Sequence, residues 1–331
     1  MILPLITICI PNYNGGEYLK QCIDSVLNQE YQNIEIIISD NKSNDNSYEI
    51  LELYKNEKKI KIIYQEKFLP MTTHWNIFKD FINGELVFWM SSDDIILKDC
   101  LSYVVRMYNK DRNMKAIFFE YDIIDEMNNV CNKIPFYEQS ALIDSKEYFN
   151  IFLKGNNFPL STCVMTKRIF DDIGGFNEKY NFCSDWFMWL SITEKDYEYK
   201  IGYIREKVAL YRIHSSNETN KNIISKNAIH EIEIMKAYFI KNNYSKEERI
   251  KIEEASNFGT AKIALAYAKI MKKNNLKDLE EYYIGKALQL SSKISNERLF
   301  KELKGIKSKE DNSSFIKASY KLPKDSTVIK F

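Results

Sequence analysis

Over the first two-thirds of the chain, short runs of β-branched and aliphatic residues alternate with segments whose apolar positions recur every three or four residues. Residues 5–10 form the first run, stopped by Pro11-Asn12-Tyr13-Asn14-Gly15-Gly16, after which Leu19, Ile23, Val26 and Leu27 follow at helical spacing. Residues 34–39 make a second run, closed by Asp40-Asn41-Lys42-Ser43-Asn44-Asp45, and Ile50, Leu51, Leu53 and Tyr54 carry the next helix. Ile60–Tyr64 reads as a third strand, residues 73–81 as a third helix, and residues 86–90 as a fourth strand ending in Ser91-Ser92-Asp93-Asp94. This alternation predicts right-handed crossovers and an α/β fold with a mostly parallel sheet.

Farther on, Ala116–Ile124 and residues 161–166 read as strands, Lys167–Ile173 as a short helix and Gly174-Gly175-Phe176 as a turn. Residues 128–157 are less regular, with loops and a short helix expected. Residues 184–193 have helical spacing with Trp186, Trp189 and Leu190 available for burial, and residues 208–213 are the last strand. Near Asn217 the texture changes: residues 223–305 are Lys/Glu-rich, aliphatic and almost free of Gly and Pro, which is helical composition. The clearest helices there are 255–271 and 279–290. The expected organisation is one α/β domain over 1–217 and a helical C-terminal extension over 218–331, with 313–331 a tail or a partly ordered end.

Hydrophobic residues at 45% and charged residues at 28% allow a full core without disulfides. Lys+Arg at 47 against Asp+Glu at 46 gives no global charge excess for nucleic acid or an anionic bilayer. The six cysteines, Cys9, Cys22, Cys100, Cys131, Cys163 and Cys183, contain no C-x-x-C pair, which argues against a zinc site or a secreted disulfide framework and for a reducing, cytoplasmic setting. The apolar start reads as a strand without a basic leader, and no run approaches the roughly 18 apolar residues of a spanning helix. Composition leaves open a peripheral contact at the inner face of the cell membrane. The Lys/Glu mixture of the extension favours a solvated helical bundle, available for a partner or for homo-oligomer formation.

In a parallel sheet, ligands bind beyond the carboxyl ends of the strands. The clusters at 11–14, 40–45 and 91–94 all fall there, at strand ends that share one edge. Hard cations such as Mg²⁺ or Mn²⁺ prefer carboxylate oxygens and bridge to substrate phosphates, chemistry that Asp93-Asp94 offers. The same pair would serve equally to cap a helix beginning near Leu97. The chain lacks G-x-x-x-x-G-K-[ST], and Asn14-Gly15-Gly16 does not satisfy G-x-G-x-x-G, which argues against a P-loop enzyme and a dinucleotide-dependent dehydrogenase.

Read together, several motifs resemble the family 2 glycosyltransferases of GT-A (Rossmann-like) fold. They are Ile6-Thr7-Ile8-Cys9-Ile10-Pro11-Asn12-Tyr13-Asn14, Tyr18-Leu19, Ser25-Val26-Leu27-Asn28-Gln29, the segment Ile36 to Asp45, His74-Trp75-Asn76, and Gly84 to Asp94. The match runs over roughly residues 5–215. It implies a mixed sheet flanked by helices, with Pro11, Tyr13 and Asn14 lining a base pocket and Asp40 hydrogen-bonding the base. Asn76 and Ser92 would join the nucleotide-sugar contacts. Asp93 would be the main metal ligand, with Asp94 supporting, for Mn²⁺ or Mg²⁺, and His214 would bind phosphate or that metal. The family's D-x-D reads Ser91-Ser92-Asp93 here, so its first aspartate is replaced. In Ser184-Asp185-Trp186, Asp185 matches the catalytic aspartate and Ser184 departs from the usual glutamate. Arg212, in Tyr211-Arg212-Ile213-His214, offers a guanidinium fork suited to the diphosphate.

By that resemblance the chain would transfer a sugar, with inversion, from a nucleoside-diphosphate sugar, expected to be a UDP-sugar, to a hydroxyl of a saccharide or lipid-linked saccharide. Bacterial surface polysaccharide or glycoconjugate synthesis is the implied setting. Plainer alternatives stand beside these roles. Asp185 also suits a helix N-terminus, Trp186 and Trp189 suit a core or an acceptor wall, His214 suits a structured loop, and His74 and His230 carry no assignment. As a whole, the chain also fits a non-catalytic nucleotide-sugar-binding or scaffold protein. A nucleotidyltransferase would need a Gly-rich basic loop after the first strand, and residues 11–18 contain neither Arg nor Lys.

Overall fold

The structure is a computed structural model that describes residues 3–194, 199–305 and 320–331. It divides into two units. The first comprises the described parts of Met1–Tyr148, Asn157–His214 and Ala318–Phe331, and the second those of Phe149–Asn156 and Ser215–Lys317.

The chain begins with β1 (Ile6–Asn12), α1 (Gly16–Leu27), β2 (Ile34–Asp40), α2 (Ser47–Glu52), β3 (Ile60–Tyr64), α3 (Met71–Asn76) and β4 (Leu86–Trp89). Next come β5 (Ile95–Ile96), α4 (Cys100–Tyr108), β6 (Ala116–Ile124), β7 (Val130–Cys131), β8 (Ala141–Asp144) and α5 (Ser145–Phe152). After β9 (Cys163–Thr166), α6 (Lys167–Ile173) and α7 (Ser184–Glu194), β10 (Lys200–Arg212) completes the contiguous part of the first unit. A last strand, β11 (Thr327–Val328), lies near the end of the described chain.

These strands form one sheet in the order β11-β8-β10-β6-β9-β4-β1-β2-β3, with β5 added to β10 and β7 to β6. The half that alternation predicted, β3-β2-β1-β4, is parallel throughout. Every residue of β1 is buried, as expected for a continuous apolar strand covered on both faces. Leu19, Cys22, Ile23 and Val26 of α1 join Ile6, Ile8 and Ile10 in the core. β9 then runs antiparallel to both β4 and β6 and makes the sheet mixed.

β10 is longer than the periodicity indicated. Its register against β6 shifts between Ile204 and Lys207 and again before Ala209, so Arg205, Glu206 and Lys207 break the alternation that would mark a strand. The expected helix at 73–81 is α3 followed by a tighter 3₁₀ turn, Ile77–Phe81. The end of the chain departs from the expectation of a helical extension through 331. β11 pairs antiparallel with β8, and Ile329 and Phe331 pack against the sheet's core. Of the segment expected as a tail, residues 313–319 lie outside the described residues.

The second unit contains α8 (Glu218–Ile224), α9 (Asn227–Asn243), α10 (Lys246–Lys273), α11 (Lys277–Leu290) and α12 (Arg298–Leu303). α10 opens with a capping box between Ser245 and Glu248, which satisfies two terminal N–H groups. Its small residues Ala261, Ala264 and Ala268 are buried, as are Tyr283, Ile284 and Ala287 of α11. Lys236 of α9 is buried with its ammonium on Thr260 Oγ1 at 2.8 Å and on the Lys154 carbonyl at 3.3 Å. Among the described residues, no helix is long and apolar enough to cross a membrane.

Candidate active site

The ends of β1 and β2 are in register, Asn12 beside Asp40, and their side chains knit the two following loops together. Asn12 Nδ2 donates to Asp40 Oδ1 at 2.8 Å, and Ser43 Oγ donates to the same oxygen at 2.6 Å. Ser43 N donates to Asp40 Oδ2 at 2.9 Å. Ser43 Oγ in turn accepts from Asn14 N at 2.8 Å, and Asn14 Oδ1 accepts from Asn44 N at 2.9 Å. Asn14 (φ 52°) and Lys42 (φ 59°) are both left-handed, a conformation that Asn tolerates and that these loop bonds help to hold. Pro11 is buried within β1, while Tyr13 projects with 49% of its surface exposed. A Cβ on Gly15 would sit 2.5 Å from Asn12 Oδ1 and 2.6 Å from Ser92 Oγ, so only glycine allows the β1 and β4 loops to meet this closely.

The turn after β4 is locked from the end of β10. Arg212 is fully buried. Its backbone N donates to Asp94 Oδ1 at 2.9 Å, and its Nε donates to the Asp93 carbonyl at 2.8 Å. Nη1 reaches the Asp125 carbonyl at 2.9 Å and Nη2 reaches Gln21 Oε1 at 2.8 Å, with the guanidinium over the Tyr18 ring at 4.4 Å. His214 Nε2 lies 2.9 Å from Asp93 Oδ2. Asp94 is buried, and its Oδ2 has no hydrogen-bond partner among the described residues. Burial first, and then the Asp93 charge, push its carboxyl well above the usual carboxylate range. Ser92, Asp93, Asp94, Arg212 and His214 thus gather where β4 and β10 end.

Asn76 and Asp185 sit on other elements. Asn76 Nδ2 donates to the Phe176 carbonyl and its Oδ1 accepts from Phe176 N, both at 2.9 Å. The residue closes the Gly174-Gly175-Phe176 turn, whose glycines have φ of 85° and 89°. Asp185 stands in the first turn of α7, its Oδ1 accepting from Trp186 N at 2.6 Å. The charges of Asp94 and Asp185 both act on the Tyr121 phenol, whose pKa is raised mainly by burial and next by Glu120. Trp186 and Trp189 are core residues, with Trp189 Nε1 bonded to the Phe158 carbonyl at 2.9 Å.

With this geometry in view, the sequence model of glycosyl transferase family 2 matches residues 7–174, half of the chain. The chain belongs to glycosyl transferase family 2. An uncharacterized glycosyltransferase of Rickettsia typhi is 28% identical over 275 residues, covering 80% of each protein. A chondroitin synthase of Pasteurella multocida is 23% identical over 77% of this chain but only 26% of its own length. S. aureus TarS 1-349 in complex with UDP-GlcNAc has a TM-score of 0.64 at 13% identity, over 91% of this chain and 83% of that one. At that identity the likeness shows the fold, the GT-A type of α/β sheet.

The family match includes Asp40, Asp93 and Asp94, whereas Asp185, Arg212 and His214 lie beyond it. Among the described residues of this glycosyltransferase, no three His, Cys, Asp or Glu side chains form a cluster that holds a metal by itself. Asp93 and Asp94 still present the oxygen donors that Mg²⁺ and Mn²⁺ take when substrate phosphates complete the shell. The buried, unpartnered Asp94 Oδ2 fits that use. Sequence reasoning left Ser43, Gln21 and Tyr121 without a role. Ser43 stood inside a cluster already singled out, but Gln21 and Tyr121 carry no local signal, because their partners are distant in sequence.

Proposed function

We propose that this glycosyltransferase moves a sugar, with inversion, from a UDP-sugar to a hydroxyl of a saccharide or lipid-linked saccharide acceptor in bacterial surface polysaccharide or glycoconjugate synthesis. One observation carries this: the Asn12–Asp40–Ser43 network and the Ser92-Asp93-Asp94 turn lie at one strand-end edge, so close at Gly15 that an added Cβ there would strike both Asn12 and Ser92. The TarS complexes with UDP-GlcNAc and with UDP support a uridine donor, and the synthases of chondroitin and hyaluronan support a glycan acceptor.

In this assignment Pro11, Tyr13, Asn14 and Asp40 form the nucleoside end, and Ser92 and Asp93 face the sugar diphosphate. A divalent Mn²⁺ or Mg²⁺ held by Asp93 and Asp94 beside His214 would neutralise charge on the departing diphosphate. Arg212 fixes the backbone and carboxylate of that turn from within, and Asn76 fixes the Phe176 turn. Asp185 takes the proton of the acceptor hydroxyl as its oxygen forms the new bond to the anomeric carbon. The bond from that carbon to the diphosphate breaks on the opposite face, and the configuration inverts.

The decisive experiment is calorimetric titration of UDP into the protein with and without Mn²⁺, alongside Asp93→Ala. Binding that needs both the metal and Asp93 is expected, and it directs a screen of UDP-sugars. UDP binding indifferent to both would sink the donor-site assignment. Tighter binding of GDP, CDP or dTDP would move the donor to another nucleotide.

A further inference from the structure

Two exposed aromatic rings flank the nucleoside end of the site. Tyr13 and Phe68 keep 49% and 55% of their surfaces exposed, yet their ring centroids are 4.9 Å apart at a tilt of 56°. We propose that Phe68 is a positioning residue for nucleobase recognition, buttressing Tyr13 so that the tyrosine's outer face is a preset platform on which the base stacks. The proposal rests on the UDP-sugar assignment and adds to it the residue that fixes how strongly the base is held.

The backbone on both sides of the pair is fixed. Tyr13 lies between Asn12, whose amide is bonded to Asp40, and Asn14, tied to Ser43 and Asn44. Phe68 sits in the loop between β3 and α3, where the next residue is gripped at both backbone groups by a single side chain. Leu69 N donates to Asn41 Oδ1 at 2.9 Å, and Asn41 Nδ2 donates to the Leu69 carbonyl at 2.8 Å. Asn41 is buried and directly follows Asp40. The carboxylate and the strap that carries the second ring are therefore consecutive residues of one chain segment.

Exposure alone does not single out Phe68, since Tyr48 and Tyr64 form another exposed pair at 5.4 Å. Phe68 differs in its amide strap and in packing on the loop that carries Asn12 and Asn14. With Phe68 against it, Tyr13 still keeps about half of its surface exposed, and that exposed part of the ring is what the proposal offers to a base. Base–aromatic stacking depends on a face held ready, because a ring that must first be ordered loses part of the gain to side-chain entropy.

The test compares UDP with inorganic pyrophosphate, which lacks the base, by calorimetry in Mn²⁺ on the full chain, with thermal melts confirming that each variant is folded. Phe68→Ala is expected to weaken UDP about tenfold and leave pyrophosphate unchanged. Phe68→Tyr is expected to restore UDP, and Phe68→Ala added to Tyr13→Ala to cost little more than Tyr13→Ala alone. Unchanged UDP affinity in Phe68→Ala, an equal loss for pyrophosphate, or the same loss in Tyr48→Ala would overturn the proposal. Failure of the wild-type protein to bind any nucleotide removes the donor assignment itself, whereas wild-type binding without a Phe68 effect removes only this inference.

Discussion

At the residue scale, Arg212 shows how environment decides the use of a charged fork. Its guanidinium is buried and serves the Asp93 and Asp125 carbonyls and Gln21. Lysine offers a point charge and cannot span acceptors in three directions. Arg212→Lys should lower unfolding stability by about 3 kcal/mol, read from the urea midpoint without nucleotide. An unchanged midpoint with lost UDP affinity would show instead that the fork serves phosphate. Asp185 is the contrasting case, a partly exposed carboxylate whose proposed role is proton transfer. Asp185→Asn should cut turnover by about 10²–10⁴-fold while donor affinity is kept. Normal transfer by the variant would remove Asp185 as the base.

His74 gives a pH prediction at the same scale. The ring is buried against Ser39 Oγ at 2.8 Å, and burial lowers its pKa from 6.5 to about 4, with Asp40 opposing the shift. The folded protein holds this ring neutral, while the unfolded chain protonates it near 6.5. Between those values the unfolded state binds more protons, so stability falls as pH drops through the window and is unaffected above it. The contribution is at most about 3 kcal/mol. The difference in urea midpoint between wild type and His74→Gln should therefore change between pH 7 and pH 4; a constant difference would contradict it.

At the element scale, strand ends meet because the residues between them are small. Gly15→Ala would press a methyl against Asn12 and Ser92 and should cost about 1–3 kcal/mol together with UDP affinity. Gly285, within α11, has nothing within 4 Å of the same position, so Gly285→Ala should gain up to about 1 kcal/mol. Equal melting shifts in the two variants would show that crowding is not what Gly15 relieves. Continuous apolar runs made β1, β2 and β4 legible and helical spacing made α1 legible, because each concentrates apolar residues over a stretch of its own length. The first half of β10 was not legible, because its register shifts place Arg205, Glu206 and Lys207 in succession. The three polar clusters could be placed at strand ends by topology alone, but their bonding could not. Asn12 and Asp40 are 28 residues apart, and Asp94 and Arg212 are 118 apart.

For the whole molecule, the described C-terminal residues add an edge strand and an aromatic anchor to the first unit. The Phe331 ring stands 5.1 Å from that of Tyr103, with the Arg106 guanidinium 5.2 Å from its centroid. Removing residues 320–331 uncovers the β8 edge and these apolar contacts, and should cost about 2–4 kcal/mol in the urea midpoint. No change would mean that the sheet is closed without them. In the second unit, a Cβ on Gly259 would lie 2.0 Å from the Lys154 carbonyl, a backbone contact with no means of relief. Glycine there lets Phe149–Asn156 lie close against α10, where Ser256 Oγ donates to the Leu153 carbonyl at 2.7 Å, and helical composition gives no sign of that approach.

The sequence by itself determined the α/β alternation, the placing of three polar clusters at one edge of the sheet, and the family to which the chain belongs. These follow from local periodicity and short motifs, which are properties of neighbouring residues. Tertiary structure alone decided that β9 is the strand set antiparallel between β4 and β6 in the mixed sheet the motifs implied, that residues 327–328 return to β8, and that Arg212 points inward to clamp the acidic turn. It also decided that Asp94 is buried with one oxygen unpartnered and that Phe68 meets Tyr13. Each of these depends on which distant groups share a desolvated space, and desolvation is set by packing rather than by sequence neighbourhood.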